Sequence, residues 1–140
     1  MPGAWAILLA AGESRRMGGL KALLPWRGAS LIEHQISSLF EAGVAHVVVV
    51  LGHDEDRLIP LVEGRENVEW VLNPRYLQGK TTSIKKGLTA VSYRNATELL
   101  LLNVDKPRSS ETVRTLLERH REHGRLITVP EFAGKGGHPL

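Results

Sequence analysis

Five short, nearly unbroken apolar runs limit what this chain can fold into: Ala4–Ala10, Val47–Leu51, Val68–Leu72, Leu99–Leu102 and Leu126–Val129. A strand with one wet face alternates apolar and polar residues, whereas a strand buried on both faces does not. The runs therefore read as strands of a parallel sheet covered on both sides. The stretches between them carry helical spacing. Leu31, Ile32, Ile36, Leu39 and Phe40 share one face at steps of three and four. Ser30 and Glu33 form a capping box at the start of that helix, and Gly43 can end it. Asp54 is placed to cap a short helix that Pro60 ends or kinks. A further helix is predicted from Thr81 or Thr82 to Ala90, with Ile84, Leu88 and Val91 inward. Ser109 or Ser110 caps the next, with Val113, Leu116 and Leu117 as its stripe and Glu118–Glu122 as its solvated end. Strands alternating with helices imply right-handed βαβ crossovers, hence a three-layer α/β fold with a mostly parallel sheet.

Composition narrows the function. The chain has 140 residues, 42% hydrophobic and 24% charged, which suits one soluble domain with a real core. It has no cysteine, which rules out disulfides and thiolate zinc sites and suits a cytoplasmic setting. The apolar start at Met1–Gly12 lacks a basic leader and is strand-sized, and no apolar run reaches bilayer length, so no membrane is expected. The net charge is +3 with 5% aromatics. A small anionic ligand fits that balance better than a nucleic-acid groove with stacking platforms.

The densest functional signal is Leu8-Leu9-Ala10-Ala11-Gly12-Glu13-Ser14-Arg15-Arg16-Met17-Gly18-Gly19-Leu20-Lys21. It runs off the end of the first strand, at the sheet edge where α/β proteins bind ligands. Ala10, Ala11 and Gly12 allow close approach to the backbone, and Gly12, Gly18 and Gly19 permit turns that aim several N–H groups at one point. Arg15, Arg16 and Lys21 add cations, a combination suited to a triphosphate. The bland alternative is a glycine-rich βα turn with solvated arginines. A Walker A loop is excluded because Lys21 is followed by Ala22, and a dinucleotide fingerprint because position 14 is Ser.

Leu9-Ala10-Ala11-Gly12-x-Ser14-x-Arg16-Met17-Gly18-x-x-Lys21-x-Leu23-Leu24-Pro25 resembles the signature of the MobA-like nucleotidyltransferases, most closely the molybdenum cofactor cytidylyltransferase branch. Asn73-Pro74, Gly79-x-x-x-Ser83-x-x-x-Gly87-Leu88, Leu102-Asn103-Val104-Asp105-Lys106-Pro107 and Gly134-x-x-Gly137-His138-Pro139 follow in the family's order. The resemblance implies a three-layer Rossmann-like nucleotidyltransferase fold over residues 1–140. It also implies a Mg²⁺ cofactor, a nucleoside triphosphate (CTP favoured) and a phosphorylated acceptor (molybdopterin favoured). A molybdoenzyme or a C-terminal partner region would be a further partner. The nucleotide-binding set it implies is Leu9, Ala10, Ala11, Gly12, Ser14, Arg16, Gly18, Lys21, Asn73, Gly79 and Ser83. Arg16, Lys21 and Asp105 would serve catalysis, Asp105 would bind the metal, and His138 would lie near the acceptor. Ala at position 11 favours the cytidylyl branch, since guanylyl-transferring relatives usually carry Gly there.

The residues themselves support this chemistry. Asp105 stands just past a buried run, at a strand's carboxyl end, and Pro107 ends that strand. Its alternative role is to cap a turn before the Ser109 helix. Mg²⁺ commonly takes one or two carboxylates plus phosphate oxygens and waters. An acceptor phosphate is already a nucleophile, so no strong general base is required. No aspartate follows Asp105, although the family draws a second metal carboxylate from a later strand. The glycine-rich tail Phe132–Leu140 does not read as a domain end, so a C-terminally truncated domain is expected, or one completed by another chain. Transfer to a sugar phosphate, and a nucleotide-binding module without catalysis, are the competing readings. Asn73 could bind sugar or begin the turn at Pro74. His120 and His123 read as a solvated helix end, His34, His46 and His53 as surface or element ends, and Trp5 and Trp70 as core.

Overall fold

The computed structural model describes residues 3–12, 25–26, 29–91, 96–104, 108–124, 131–132 and 135–136. In chain order the elements are β1 (Gly3–Ala10), β2 (Pro25–Trp26), β3 (Ala29–Ser30), α1 (Leu31–Glu41), β4 (His46–Leu51), α2 (Glu55–Val62), β5 (Val68–Leu72), α3 (Lys80–Val91), β6 (Ala96–Asn103), α4 (Ser110–His123), β7 (Glu131–Phe132) and β8 (Lys135–Gly136). The apolar runs beginning at Ala4, Val47, Val68 and Leu99 are thus strands. The run Leu126–Val129 lies outside the described residues. β1, β4, β5 and β6 form one sheet in the order β5-β4-β1-β6, with every pair parallel. β2 with β3 and β7 with β8 make two small antiparallel pairs.

Alternation along β1 builds the two outer layers. Ala4, Ala6, Leu8 and Ala10 belong to one core with Val47, Val49, Leu51, Leu100 and Leu102. Ile32, Ile36 and Leu39 of α1, Leu58 and Val62 of α2, and Val113 and Leu117 of α4 cover that core. Trp5, Ile7, Leu9 and Ala11 point the other way and join Val48, Val50 and Val91 beneath α3. Trp5 also stacks on the His46 ring, with centroids 4.2 Å apart. β1 is therefore buried on both faces, as its unbroken apolar sequence requires.

Local signals set most element ends. The Ser30–Glu33 capping box opens α1, with Ser30 accepting from the Glu33 N–H and the Glu33 side chain accepting from the Ser30 N–H. Gly43 has φ +99° just beyond α1, and its N–H bonds to the Phe40 carbonyl. Ser109 caps α4 through Thr112 N–H, and Gly124 closes it at φ +61°. Among the described residues no helix is long and apolar enough to cross a membrane.

Three expectations need correction. Pro60 neither ends nor bounds α2, which continues to Val62. Pro60 forfeits one helical hydrogen bond, and the full burial of Leu58 and Val62 outweighs that loss in so short a helix. Asp54 occupies the N-cap position in a left-handed conformation, φ 50°, and makes no side-chain cap bond. Leu88 does not face inward; it is 43% exposed. The contact line of α3 is Ser83, Gly87 and Val91 at steps of four. A Cβ at Gly87 would stand 2.6 Å from Ile7 Cγ2, so the helix rests on β1 through that glycine. The next residue is rotated by about 100° and points out.

Candidate functional site

The strand order locates the site. From β1 the chain steps outward to β4 and β5, then crosses back over the sheet through α3 to pair β6 with the opposite side of β1. The carboxyl ends of β1 and β6 thus flank the point where the winding direction reverses, which is where open α/β sheets hold ligands.

The exit of β1 is tied to both neighbours. The Leu9 carbonyl accepts the Val104 N–H at 3.0 Å from the β6 side. Two residues later the Ala11 carbonyl accepts the His53 N–H at 2.9 Å from the β4 side. Ala10 and Ala11 are buried, and Gly12 emerges exposed with none of the described residues within 4 Å of where a Cβ would lie. Having no side chain, Gly12 itself leaves the backbone there uncovered. Gly52 makes the close approach at Ala11 feasible. A Cβ there would lie 2.9 Å from Ala11 Cβ, from the Ala11 carbonyl oxygen and from Tyr76 Cβ.

A second rim element follows β5. The Asn73 N–H bonds to the Leu51 carbonyl at 2.7 Å. Its side chain is buried and fully engaged: Nδ2 donates to Thr82 Oγ1 at 2.9 Å and to Ser83 Oγ at 2.8 Å, while Oδ1 accepts the Arg75 N–H at 3.0 Å. Thr82 Oγ1 in turn lies 2.7 Å from the Gly79 carbonyl and 3.0 Å from that of Arg75. This network fastens the turn 73–79 to the first turn of α3. Gly79 sits open at φ +117°, a conformation few other residues adopt. Between the two rims, Tyr76 leans on His53, with its hydroxyl 3.3 Å from Nδ1. His53 Nε2 is 3.4 Å from the Asp54 carboxylate. With strands about 4.8 Å apart, the exits of β1 and β5 stand roughly 10 Å from each other, about the breadth of a nucleotide. Arg75 and Lys80 stand exposed on the same rim.

The sequence-derived residues divide clearly. Leu9, Ala10, Ala11 and Gly12 lie together at the β1 exit, and Asn73, Gly79 and Ser83 at the β5–α3 turn. Asn73 makes the turn at Pro74, its Oδ1 accepting the Arg75 N–H. Ser83 is 5% exposed and bonds to Asn73. Ser14, Arg16, Gly18, Lys21, Asp105 and His138 lie outside the described residues. Sequence reasoning found no sign of Gly52 or Tyr76, placed His53 only at the surface or an element end, and passed over Gln35, a fully buried amide on α1. Gln35 carried a usable signal, because it sits at the inward steps from Leu31 and Ile32 in a stripe otherwise apolar.

Comparison with known proteins fits this geometry. The profile of the MobA-like NTP transferase domain matches residues 6–140. The chain is 36% identical over 134 residues to the nicotine blue oxidoreductase of Paenarthrobacter nicotinovorans, covering 92% of this chain and 62% of that protein. It is 28% identical over 134 residues to the molybdenum cofactor cytidylyltransferase of Escherichia coli, covering 96% and 67%. The bifunctional protein GlmU of Clavibacter sepedonicus matches at 28% over 131 residues, 91% of this chain and 27% of that one. The chain thus spans between about a quarter and two thirds of these relatives' lengths. The crystal structure of Rv0371c from Mycobacterium tuberculosis superposes with a TM-score of 0.81 at 24% identity over 99% of this chain and 69% of that one. That likeness establishes the fold. The same protein has been crystallised in complex with manganese.

Proposed function

The chain belongs to the MobA-like NTP transferase domain family, and on that premise we propose that it joins a nucleoside monophosphate to a phosphorylated acceptor. An acceptor phosphate oxygen attacks the α-phosphorus of a nucleoside triphosphate. A new P–O bond forms, the bond to the bridging oxygen of the β-phosphate breaks, and pyrophosphate leaves. CTP is the favoured nucleotide and molybdopterin the favoured acceptor, in a cytoplasmic enzyme. Similarity to the cytidylyltransferase of Escherichia coli supports this choice.

The observation that carries the reading is the meeting of the β1 and β6 exits at the reversal of winding, held by the bond from Val104 N–H to Leu9 carbonyl. Asp105 follows Val104 directly in the chain, which supports its role at the rim formed by Leu9–Gly12. A hard carboxylate suits Mg²⁺, which is commonly shared between one or two side chains and substrate phosphates. When bound by Asp105, the ion would neutralise charge on the triphosphate. Arg16 and Lys21 hold the triphosphate and stabilise the departing pyrophosphate. Gly12 leaves room for phosphate against the backbone, and Gly18 is assigned to the same contact by the family resemblance. Gly79 borders the base or sugar, and Asn73 and Ser83 serve that contact by fixing its turn. His138 is assigned to the acceptor by the same resemblance. Positioning supplies much of the remaining acceleration, since both reactants are anions that must be aligned.

Pyrophosphate release, measured with each nucleotide and with molybdopterin or sugar phosphates as acceptors, tests the proposal. Turnover with a sugar phosphate but none with molybdopterin overturns the acceptor. Asp105→Ala should lower metal-dependent turnover more than nucleotide binding. Equal loss of both would make the metal a binding element only. The 36% identity to a protein named an oxidoreductase motivates a second reading, a redox role. Substrate-dependent consumption of an added reductant, with no pyrophosphate released from any nucleotide, would favour that reading.

A further inference from the structure

Gln35 is the only fully buried amide side chain among the described residues, and nothing in the proposed chemistry uses it. It lies on the sheet-facing side of α1, where Ile32, Ile36 and Leu39 make an apolar contact. Its Nε2 stands 3.3 Å from the Asn103 carbonyl and 3.3 Å from the Val104 carbonyl. One NH₂ group, with two protons, thus meets two successive carbonyls at the point where β6 ends. Its Oε1 has no donor among the described residues. The opposite amide orientation would set that oxygen against both carbonyls, so the network fixes the assignment. An apolar residue would complete the stripe without leaving a buried acceptor unpaired. The amide at this position therefore carries a cost that its two bonds to the β6 exit must offset.

Those bonds act together with a third. Val104 N–H is held by Leu9 on the sheet side, while the carbonyls of Asn103 and Val104 are held by Gln35 on the helix side. The chain leaving β6 is thus gripped through donor and acceptor groups from two different elements. We infer that Gln35 is a positioning residue: by binding the Asn103 and Val104 carbonyls, it fixes the β6 exit beside the Leu9–Gly12 rim. This rests on the reading of Asp105 as the metal-binding carboxylate. Gln35 touches neither metal nor nucleotide and acts one shell behind them, where such partners commonly govern metal affinity by roughly 10–100-fold.

The test uses Mn²⁺ as a paramagnetic probe, titrated into the full chain with and without CTP and followed by electron paramagnetic resonance. CTP affinity without metal, nucleotide KM, kcat and melting temperature are measured alongside. Gln35→Met, which keeps length and loses both donors, should weaken Mn²⁺ binding by about tenfold or more. It should lower kcat while metal-free CTP affinity and nucleotide KM stay within about twofold, a split that general loosening of the core would not give. Gln35→Glu keeps the shape and, protonated in that apolar setting, returns one donor, so its loss should be smaller. If Gln35→Met does not fold, Gln35→Glu decides by the same measurements. Asp105→Asn separates the two levels. Loss of Mn²⁺ binding in Asp105→Asn with wild-type binding in the Gln35 variants overturns the positioning role alone. Wild-type Mn²⁺ binding in Asp105→Asn overturns the metal reading, and the positioning role falls with it.

Discussion

Replacing Gly52 with Ala probes the closest packing at the site. The added methyl would stand 2.9 Å from each of Ala11 Cβ, Ala11 O and Tyr76 Cβ. Carbon contacts are most favourable at about 3.5–4.0 Å, so the two carbon contacts are roughly 0.6–1 Å too short. None of the three atoms lies at the end of a flexible side chain, so no rotamer change relieves them. The β4 exit must move away from Ala11, which stretches the 2.9 Å bond from His53 N–H to Ala11 O. Overpacking of this kind costs about 1–3 kcal/mol, and weakening one hydrogen bond adds about 1 kcal/mol. Restriction of the unfolded chain returns about 0.4–1 kcal/mol. The net is a destabilisation of roughly 1–3 kcal/mol, or about 3–12 °C in melting temperature for a chain of this size. Urea unfolding and calorimetry measure it, and CTP titration should show weaker binding. Gly12→Ala is the control, because none of the described residues lies within 4 Å of its Cβ position and its φ is not positive. It should keep the melting temperature and still weaken nucleotide binding. A Gly52→Ala protein as stable as the parent, or a Gly12→Ala protein equally destabilised, would refute the steric argument.

Other perturbations give equally definite outcomes. Asn73→Ala removes three side-chain hydrogen bonds in a buried setting and should cost about 2–3 kcal/mol in urea unfolding. Lys21→Ala should lose triphosphate affinity by calorimetric titration while keeping its melting temperature; loss of fold instead would assign Lys21 a structural role. The carboxyl of Glu33 is held below its ordinary value chiefly by the Ser30 hydroxyl, with burial opposing and the Ser30 N–H and Arg65 assisting. Because the folded-state value is the lower one, this stability is fully present above the unfolded carboxylate pKa of about 4.3. It fades as pH falls through the folded value. Glu33→Gln should therefore melt below the parent at neutral pH, with the gap closing in acid; a gap independent of pH would contradict the assignment.

Much of the architecture could be read from residue order because each signal acted locally. Apolar runs marked β1, β4 and β5 to within a residue or so, and Ser30, Glu33 and Ser109 marked helix starts through bonds three residues long. The misreadings arose where a distant partner decided the outcome. Leu88 looked inward by periodicity, but Gly87 brings α3 onto Ile7, and only the sheet reveals that. Pro60 looked like a terminator, but the burial of Leu58 and Val62 depends on α2 lying across the sheet. At the candidate site, the stretch Leu9–Gly12 was legible as the carboxyl end of a strand, because the apolar run stops there at a glycine. Gly52 and Gln35 were not, because their roles concern Ala11 and Val104, which lie 41 and 69 positions away in sequence.

The cross-bracing of Leu9 and Ala11 by two neighbouring strand ends bears on how quickly a ligand can be captured. Backbone secured by the interior of the sheet has little freedom left to surrender when something docks against it. On the proposed function, first encounter at residues 9–12 requires no prior ordering of that stretch, and the entropic toll of binding shifts to the ligand. Amide exchange at His53 and Val104 should accordingly be slow in the free protein and change little on saturation with CTP.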